Sequence, residues 1–243
     1  ESPRHSVCWA LFGFPQKPHM IWLILIPIVL AAIYWLFMSP YSQVFGRYPY
    51  KKKTTKKVVA LTFDDGPNEP YTSDLLDFFK ANDVKATFFQ VGKCVQRHPE
   101  ITKRAYAEGH TIANHSLNHK FHKPLIHPNF DAEIEETQRI IQKTIGKTPA
   151  LFRSPWLWRQ PMLLRNARKH GLRPISGVFC DDLEVFVPNA DRIAKTALKR
   201  IKPGSIIIFH DGQDSKGGDR SASIEAAKIV VNTLKPQGYK FIT

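Results

Sequence analysis

Apolar and polar positions divide the chain into three regimes. Residues 20–38, MIWLILIPIVLAAIYWLFM, are apolar almost without interruption and hold no charged residue. As a helix they are long enough for a bilayer whose hydrocarbon core is ~30 Å thick. Trp22, Tyr34 and Trp35 stand near the ends of the run, as interfacial aromatics do, and Pro27 predicts a kink that a membrane helix tolerates. A signal peptide is the competing reading, but no small-residue cleavage site follows. Residues 39–57 are polar and end in the basic cluster KKKTTKK.

From residue 58 the pattern alternates. Val58 to Phe63 is apolar and β-branched without strict period two, as in a strand covered on both faces. TSDLLDFFK follows as a helix, with Thr72 or Ser73 as cap and Leu75, Leu76, Phe78 and Phe79 on its apolar side. ATFFQVG reads as a strand, and PEITKRAYAE as a helix opened by Pro99 and stopped by Gly109; HTIAN is a short strand or turn entry. In DAEIEETQRIIQKTIG the stripe Ile134, Thr137, Ile141 and Ile145 predicts a longer helix closed by Gly146. ALF, PISGVFC, SIIIF and YKFI supply further strands, and PMLLRNARKHG, ADRIAKTALKRI and SIEAAKIVVNTLKPQG further helices. This βα repetition with one-sided helices predicts an α/β fold, a closed or nearly closed barrel rather than a sandwich or bundle.

At 243 residues the chain has room for one sizeable core and a small appendage. The expected organisation is an N-terminal tail (1–19), a transmembrane helix (20–38), a basic juxtamembrane linker (39–57) and a C-terminal α/β domain (58–243). The formal charge is +14, half of it within residues 1–57. Placed beside an apolar span, that density suits anionic lipid headgroups better than nucleic acid. Six basic residues after the span, against Arg4 and Lys17 before it, favour a cytoplasmic C-terminal domain by the positive-inside rule. Cys8, Cys94 and Cys180 form no CxxC; a bridge between Cys94 and Cys180 stays open. No obligate protein partner is evident.

Candidate chemistry gathers where strands end. Asp64 and Asp65 close the first strand, at the sheet edge where α/β proteins bind ligands, and Gly66-Pro67 turns the chain away. His115 and His119, four apart in NHSLNH, would share one face of a helical turn; with a carboxylate they make a His2Asp set for zinc or another divalent transition metal. HEXXH is absent. Arg153 in FRSPW could pair with a catalytic carboxylate, Asp181 and Asp182 lie in FCDDLE, and His210 and Asp211 end IIIFHDG, where a histidine is a candidate acid or base. Singly, each could be a turn or surface residue.

Taken in order, TFDDGP (62–67), HSLNH (115–119), RSPW (153–156), DDLE (181–184) and IFHD (208–211) resemble the motifs of the polysaccharide deacetylases, the NodB homology domain of carbohydrate esterase family 4, over about residues 56–243. The resemblance implies a deformed (β/α) barrel and metal-dependent removal of acetyl groups from N-acetylated sugars, usually in polymers such as peptidoglycan or chitin. It makes Asp65, His115 and His119 the ligands of one divalent ion, zinc or alternatively cobalt, and Asp64 the base, steadied by Arg153. The backbone N–H of Trp156 would face the oxyanion, and His210, assisted by Asp181, would protonate the leaving amine. It favours an extracytoplasmic domain acting on wall glycan, whereas a cytoplasmic domain would meet a lipid-linked sugar. Two departures stand out: Trp156 where tyrosine is common, and a fourth motif with Asp181 and Glu184 but Val185 in the tryptophan place, which leaves open whether Asp181 or Asp182 supports His210.

Overall fold

The computed structural model describes residues 18–122 and 130–243, with side chains of the first helix described from Ile21. Cys8 and most of the expected tail 1–19 therefore lie outside the described residues. Strand β1 (Val58–Asp64) sits at the centre of an all-parallel sheet. It pairs with β2 (Thr87–Gln90) on one side and β7 (Ser205–His210) on the other. Beyond β2 come β3 (Thr111–Asn114), β4 (Leu151–Phe152) and β5 (Arg173–Pro174); beyond β7 lies β6 (Val178–Phe179), and β8 (Lys240–Phe241) pairs with the start of β1.

The order β5-β4-β3-β2-β1-β7-β6 forces curvature. A flat sheet of seven strands would set its edges ~29 Å apart at ~4.8 Å per strand. Yet β5 ends at Pro174 and β6 begins at Val178, and four residue steps span at most ~14 Å. The sheet must curl until β5 and β6 nearly meet. The expected near-closed barrel is thus a curled sheet, open between those two strands.

Helices cover the outside: α2 (Tyr71–Asn82), α3 (Gly92–Arg97), α4 (Pro99–Ala107), α5 (Phe130–Ile145), α6 (Pro161–Lys169), α7 (Ala190–Arg200) and α8 (Ser221–Leu234). Alternate residues of β1 serve different layers. Val59, Leu61 and Phe63 belong to the main core, where Phe63 lies 5.4 to 5.7 Å from the rings of Phe79, Phe88 and Phe209. Thr62 instead accepts a hydrogen bond from Arg153. This two-sided burial is why the strand shows no simple alternation. The short α3 was not anticipated. Nor does Thr72 or Ser73 cap α2: its cap position is Pro70, without a side-chain bond, and Thr72 lies within the helix.

The apolar run lies in α1 (Pro18–Phe37), and among the described residues no helix is long and apolar enough to cross a membrane. After α1 the chain is docked rather than loose. Phe37 and Met38 pack against a cluster containing Phe152 and Trp158. The Arg159 backbone N–H donates to Phe37 O (2.9 Å), and its guanidinium to Ser42 O. Tyr48 is fully buried and its hydroxyl accepts from Ser154 N. The basic cluster starts at the other end of the sheet, where Lys52 N donates to Gly204 O (2.8 Å) just before β7. Residues 39–50 therefore form a strap running from the carboxyl rim to the amino rim.

Candidate active site

Strand register brings the chemistry together. Asp64 is paired with His210 across β1 and β7, and Asn114 with Phe152 across β3 and β4, so His115 and Arg153 leave the sheet side by side. The histidine loop is not helical. Ser116 and His119 both have left-handed backbones (φ 67° and 52°), which corrects the expected helical turn. What folds this loop is Glu133 on α5, whose carboxylate accepts from the backbone N–H of Leu117 and Asn118 (3.1 and 3.0 Å), together with the Asn114 side chain, which accepts from Ser116 N.

Both imidazoles are oriented from behind. His115 Nδ1 lies 2.8 Å from the carbonyl oxygen of Arg153 and His119 Nδ1 lies 2.7 Å from Asp214 Oδ1. Those partners accept, so Nδ1 carries the proton and each Nε2 presents a lone pair. The two Nε2 atoms stand 3.3 and 3.1 Å from Asp65 Oδ1, a buried oxygen that makes no hydrogen bond. Three lone pairs converging in a buried place repel one another unless a cation lies between them, and two imidazoles with one carboxylate match the donors of a divalent transition metal. Asp65, His115 and His119 are the group among the described residues with this convergence. Without a cation a proton can take its place: burial disfavours charge on both Asp65 and His119, yet the histidines lower the pKa of Asp65, and Asp65 and Asp214 raise that of His119, so a metal would compete with a proton for the His119 Nε2.

Asp64 points beside this cluster. Its Oδ1 accepts from Arg153 Nη1 at 2.6 Å, while Oδ2 is 3.8 Å from His115 Nε2. Arg153 is fully buried, lies over the Phe89 ring, and also donates to Thr62 Oγ1 and Ser176 O. It thus spans the inside of the curl from β1 to the β5–β6 link.

Gly66 of the DDGP turn is required by space, because a Cβ there would lie 2.2 Å from Asp211 Oδ2. Asp211 itself is buried; burial, with the charge of Asp65 nearby, raises its pKa to about 7 although Thr72 donates to it at 2.7 Å. It interlocks the first and last motifs and does not line the cavity. That cavity has a volume of about 370 Å³ and is bounded by the metal cluster, Asp64, His210, Trp156 and the end of α1.

Across the cavity, His210 Nδ1 lies 2.8 Å from Glu184 Oε2, and His210 N donates to Glu184 Oε1 at 3.0 Å. Burial alone would lower the His210 pKa, but the Glu184 carboxylate outweighs it and carries the value up to about 9. The imidazolium is thereby kept near neutral pH with Nε2 free of the Glu184 contact.

With this geometry the polysaccharide deacetylase family matches residues 51–175. The chain belongs to that family. It is 32% identical over 199 residues to a peptidoglycan-N-acetylglucosamine deacetylase of Bacillus cereus, covering 82% of this chain and 91% of that protein. To a chitooligosaccharide deacetylase of a Bradyrhizobium species it is 31% identical over 213 residues, covering 84% and 96%. The crystal structure of the Bc1960 peptidoglycan N-acetylglucosamine deacetylase superposes with a TM-score of 0.73 at 30% identity, covering 81% of this chain and 90% of that one.

One site expectation of the family resemblance is corrected. Asp181 does not reach His210: its carboxylate accepts from Leu183 N (2.7 Å) and Arg192 Nε (3.3 Å), while Asp182 pairs with Arg200. A turn at 181–184 sends the aspartates back toward α7 and carries Glu184, one methylene longer, to His210. The signal was present as the fourth position of the family's D-x-x-D pattern. Asp214, behind His119, was also missed, and nothing local marks it. Trp156 has a left-handed backbone (φ 57°) and sets its ring 5.9 Å from His119, forming one wall of the cavity. Cys94 and Cys180 are both free and buried, so no bridge joins them.

Proposed function

We propose that this polysaccharide deacetylase hydrolyses the N-acetyl group of N-acetylhexosamine glycans. The carrying observation is the convergence of Asp65 Oδ1 with two outward-facing Nε2 atoms at 3.3 and 3.1 Å, beside an Arg153-paired Asp64. A divalent cation held there, zinc or cobalt by its donor set, would polarise the acetamide carbonyl and acidify a water. Asp64 is positioned to take the proton of the attacking water, with Arg153 fixing its free oxygen toward the site. As the carbonyl oxygen gains charge, the Trp156 backbone N–H faces it as donor. His210 Nε2 delivers a proton to the departing nitrogen as the C–N bond breaks, giving acetate and a free amino sugar. Glu184 holds that imidazolium in place.

The relatives are deacetylases of peptidoglycan N-acetylglucosamine or of chitooligosaccharide, which supports this substrate class. The uncharged run in α1 supports attachment to a membrane, with the 58–243 catalytic body extended by the docked strap 39–50. Peptidoglycan in the relatives' names supports an extracytoplasmic catalytic domain. The direct test is acetate release from chitotetraose and peptidoglycan fragments before and after chelation. Activity should vanish with the metal and return with zinc or cobalt, one ion per chain by elemental analysis. Full activity in metal-free protein would overturn the reading.

A further inference from the structure

The end of α1 is part of the catalytic cavity. Tyr34 and Met38 line it together with Asp64 and His210, and Val185 and Phe186 line it from the loop after β6. Both walls continue outward as exposed apolar surface. Phe186 is 69% exposed, and along α1 Ile24, Ile28 and Leu30 are 62%, 58% and 60% exposed. Such an apolar surface beside a cavity marks a place for an apolar ligand or a lipid phase, with the Asp182–Arg200 ion pair at its margin.

The joint between α1 and the barrel fixes what can arrive there. Arg159 binds the carbonyls of Phe37 and Ser42, and Ser176 Oγ donates to Pro40 O at 3.2 Å. No free tether separates the helix from the site, so a substrate must reach the rim where α1 meets it. Tyr34 and Trp35, at this end of α1, are 51% and 52% exposed and are of the residue types that settle among lipid headgroups, so an α1 attached to a membrane would set the cavity mouth at that level. The basic cluster at 51–57 lies at the opposite rim, beside the start of β7, and does not serve this mouth. No lysine or arginine lines the cavity among the described residues, so a neutral sugar fits its charge better than a sugar phosphate.

Resting on the deacetylase reading, we infer that the substrate is a glycolipid: an N-acetylhexosamine joined through an uncharged link to an apolar chain, the sugar in the cavity and the chain along α1 and the Val185–Val187 wall. The chain keeps the headgroup at the rim, and α1 is then substrate-binding surface as well as attachment.

The test uses the full chain, metal-loaded, in phosphatidylcholine vesicles containing N-acetylglucosaminyl dialkylglycerol, against chitotetraose in solution. Acetate release should give a kcat/KM for the glycolipid at least about tenfold higher. Phe186→Asp, at an exposed position, should lower the glycolipid value at least about fivefold more than the chitotetraose value. Chitotetraose turned over as fast as the glycolipid or faster, or a Phe186→Asp loss equal for both substrates, would overturn the glycolipid inference while leaving the deacetylase intact. Absence of acetate from both substrates with metal bound would break the deacetylase reading itself, and this inference with it.

Discussion

Two clusters face each other across one cavity, and they are held in different ways. The cluster of Asp64, Asp65, His115 and His119 comes from the ends of β1 and β3, and two residues hold it from behind: Arg153 after β4 binds Asp64 through its guanidinium and His115 through its carbonyl, and Asp214 after β7 binds Asp65 through its backbone N–H and His119 through its carboxylate. His210 and Glu184 form a single ion pair, one partner at the end of β7 and the other on the irregular turn after β6. The first arrangement accumulates negative charge and lone pairs and so asks for a cation. The second neutralises itself and stores a proton. A site that must supply both an electrophile and an acid separates them, because a cation placed beside His210 would drive its proton off.

Substitutions should separate the two clusters. The largest effect is expected from His115→Ala, which removes a ligand: activity should fall about a thousandfold or more, as several kcal/mol of metal-derived stabilisation would imply, with the ion lost by elemental analysis. Asp64→Asn should lower turnover roughly 100-fold or more while the ion stays bound, since only the proton acceptor is changed. If both variants kept the ion, the ligand and base assignments within the first cluster would have to be redrawn.

Glu184→Gln tests the second cluster. With His210 held at about 9 against an ordinary 6.5, wild-type turnover should fall as pH rises through about 9, where the acid is lost. The same shift stabilises the fold fully below 6.5 and is lost as pH rises through about 9. In Glu184→Gln the alkaline limb of the pH–rate profile should move down toward the ordinary value, and the neutral-pH rate should fall about tenfold. An unmoved limb would assign it to another group.

Asp214→Asn should weaken metal binding about tenfold in a chelator competition, by loosening His119, with turnover at saturating metal nearly retained. The smallest effect belongs to Asp181→Asn, below about threefold in turnover, because that carboxylate meets a partly exposed Arg192 and not His210. A loss equal to that of Glu184→Gln would restore Asp181 as the support of His210.

The metal cluster was the more legible of the two. Asp65, His115 and His119 stand in short motifs at strand ends, and their residue types alone suggest ligands; only the local conformation was misjudged, because left-handed Ser116 and His119 depend on Glu133 and Asn114 contacts that the HxxxH spacing does not encode. The acid cluster was half legible. His210 follows an apolar strand and was identifiable, but its carboxylate partner depends on the path of an irregular turn, where neighbouring Asp181, Asp182 and Glu184 differ only in direction. Asp214 carried no signal, since its partner His119 is 95 positions away.

By itself the sequence determined the order of βα units, the strands that carry each motif, and the family, because burial on both strand faces and polar residues at strand ends are written in local pattern. Tertiary structure decided the rest. That residues 39–50 are docked follows from pairs such as Tyr48 with Ser154, 106 positions apart, and that Tyr34 and Met38 border the same cavity as Asp64 and His210 follows from the way that strap returns along the barrel. Contacts between residues so distant are set by how layers pack and how a sheet curls, and no window along the chain contains both partners.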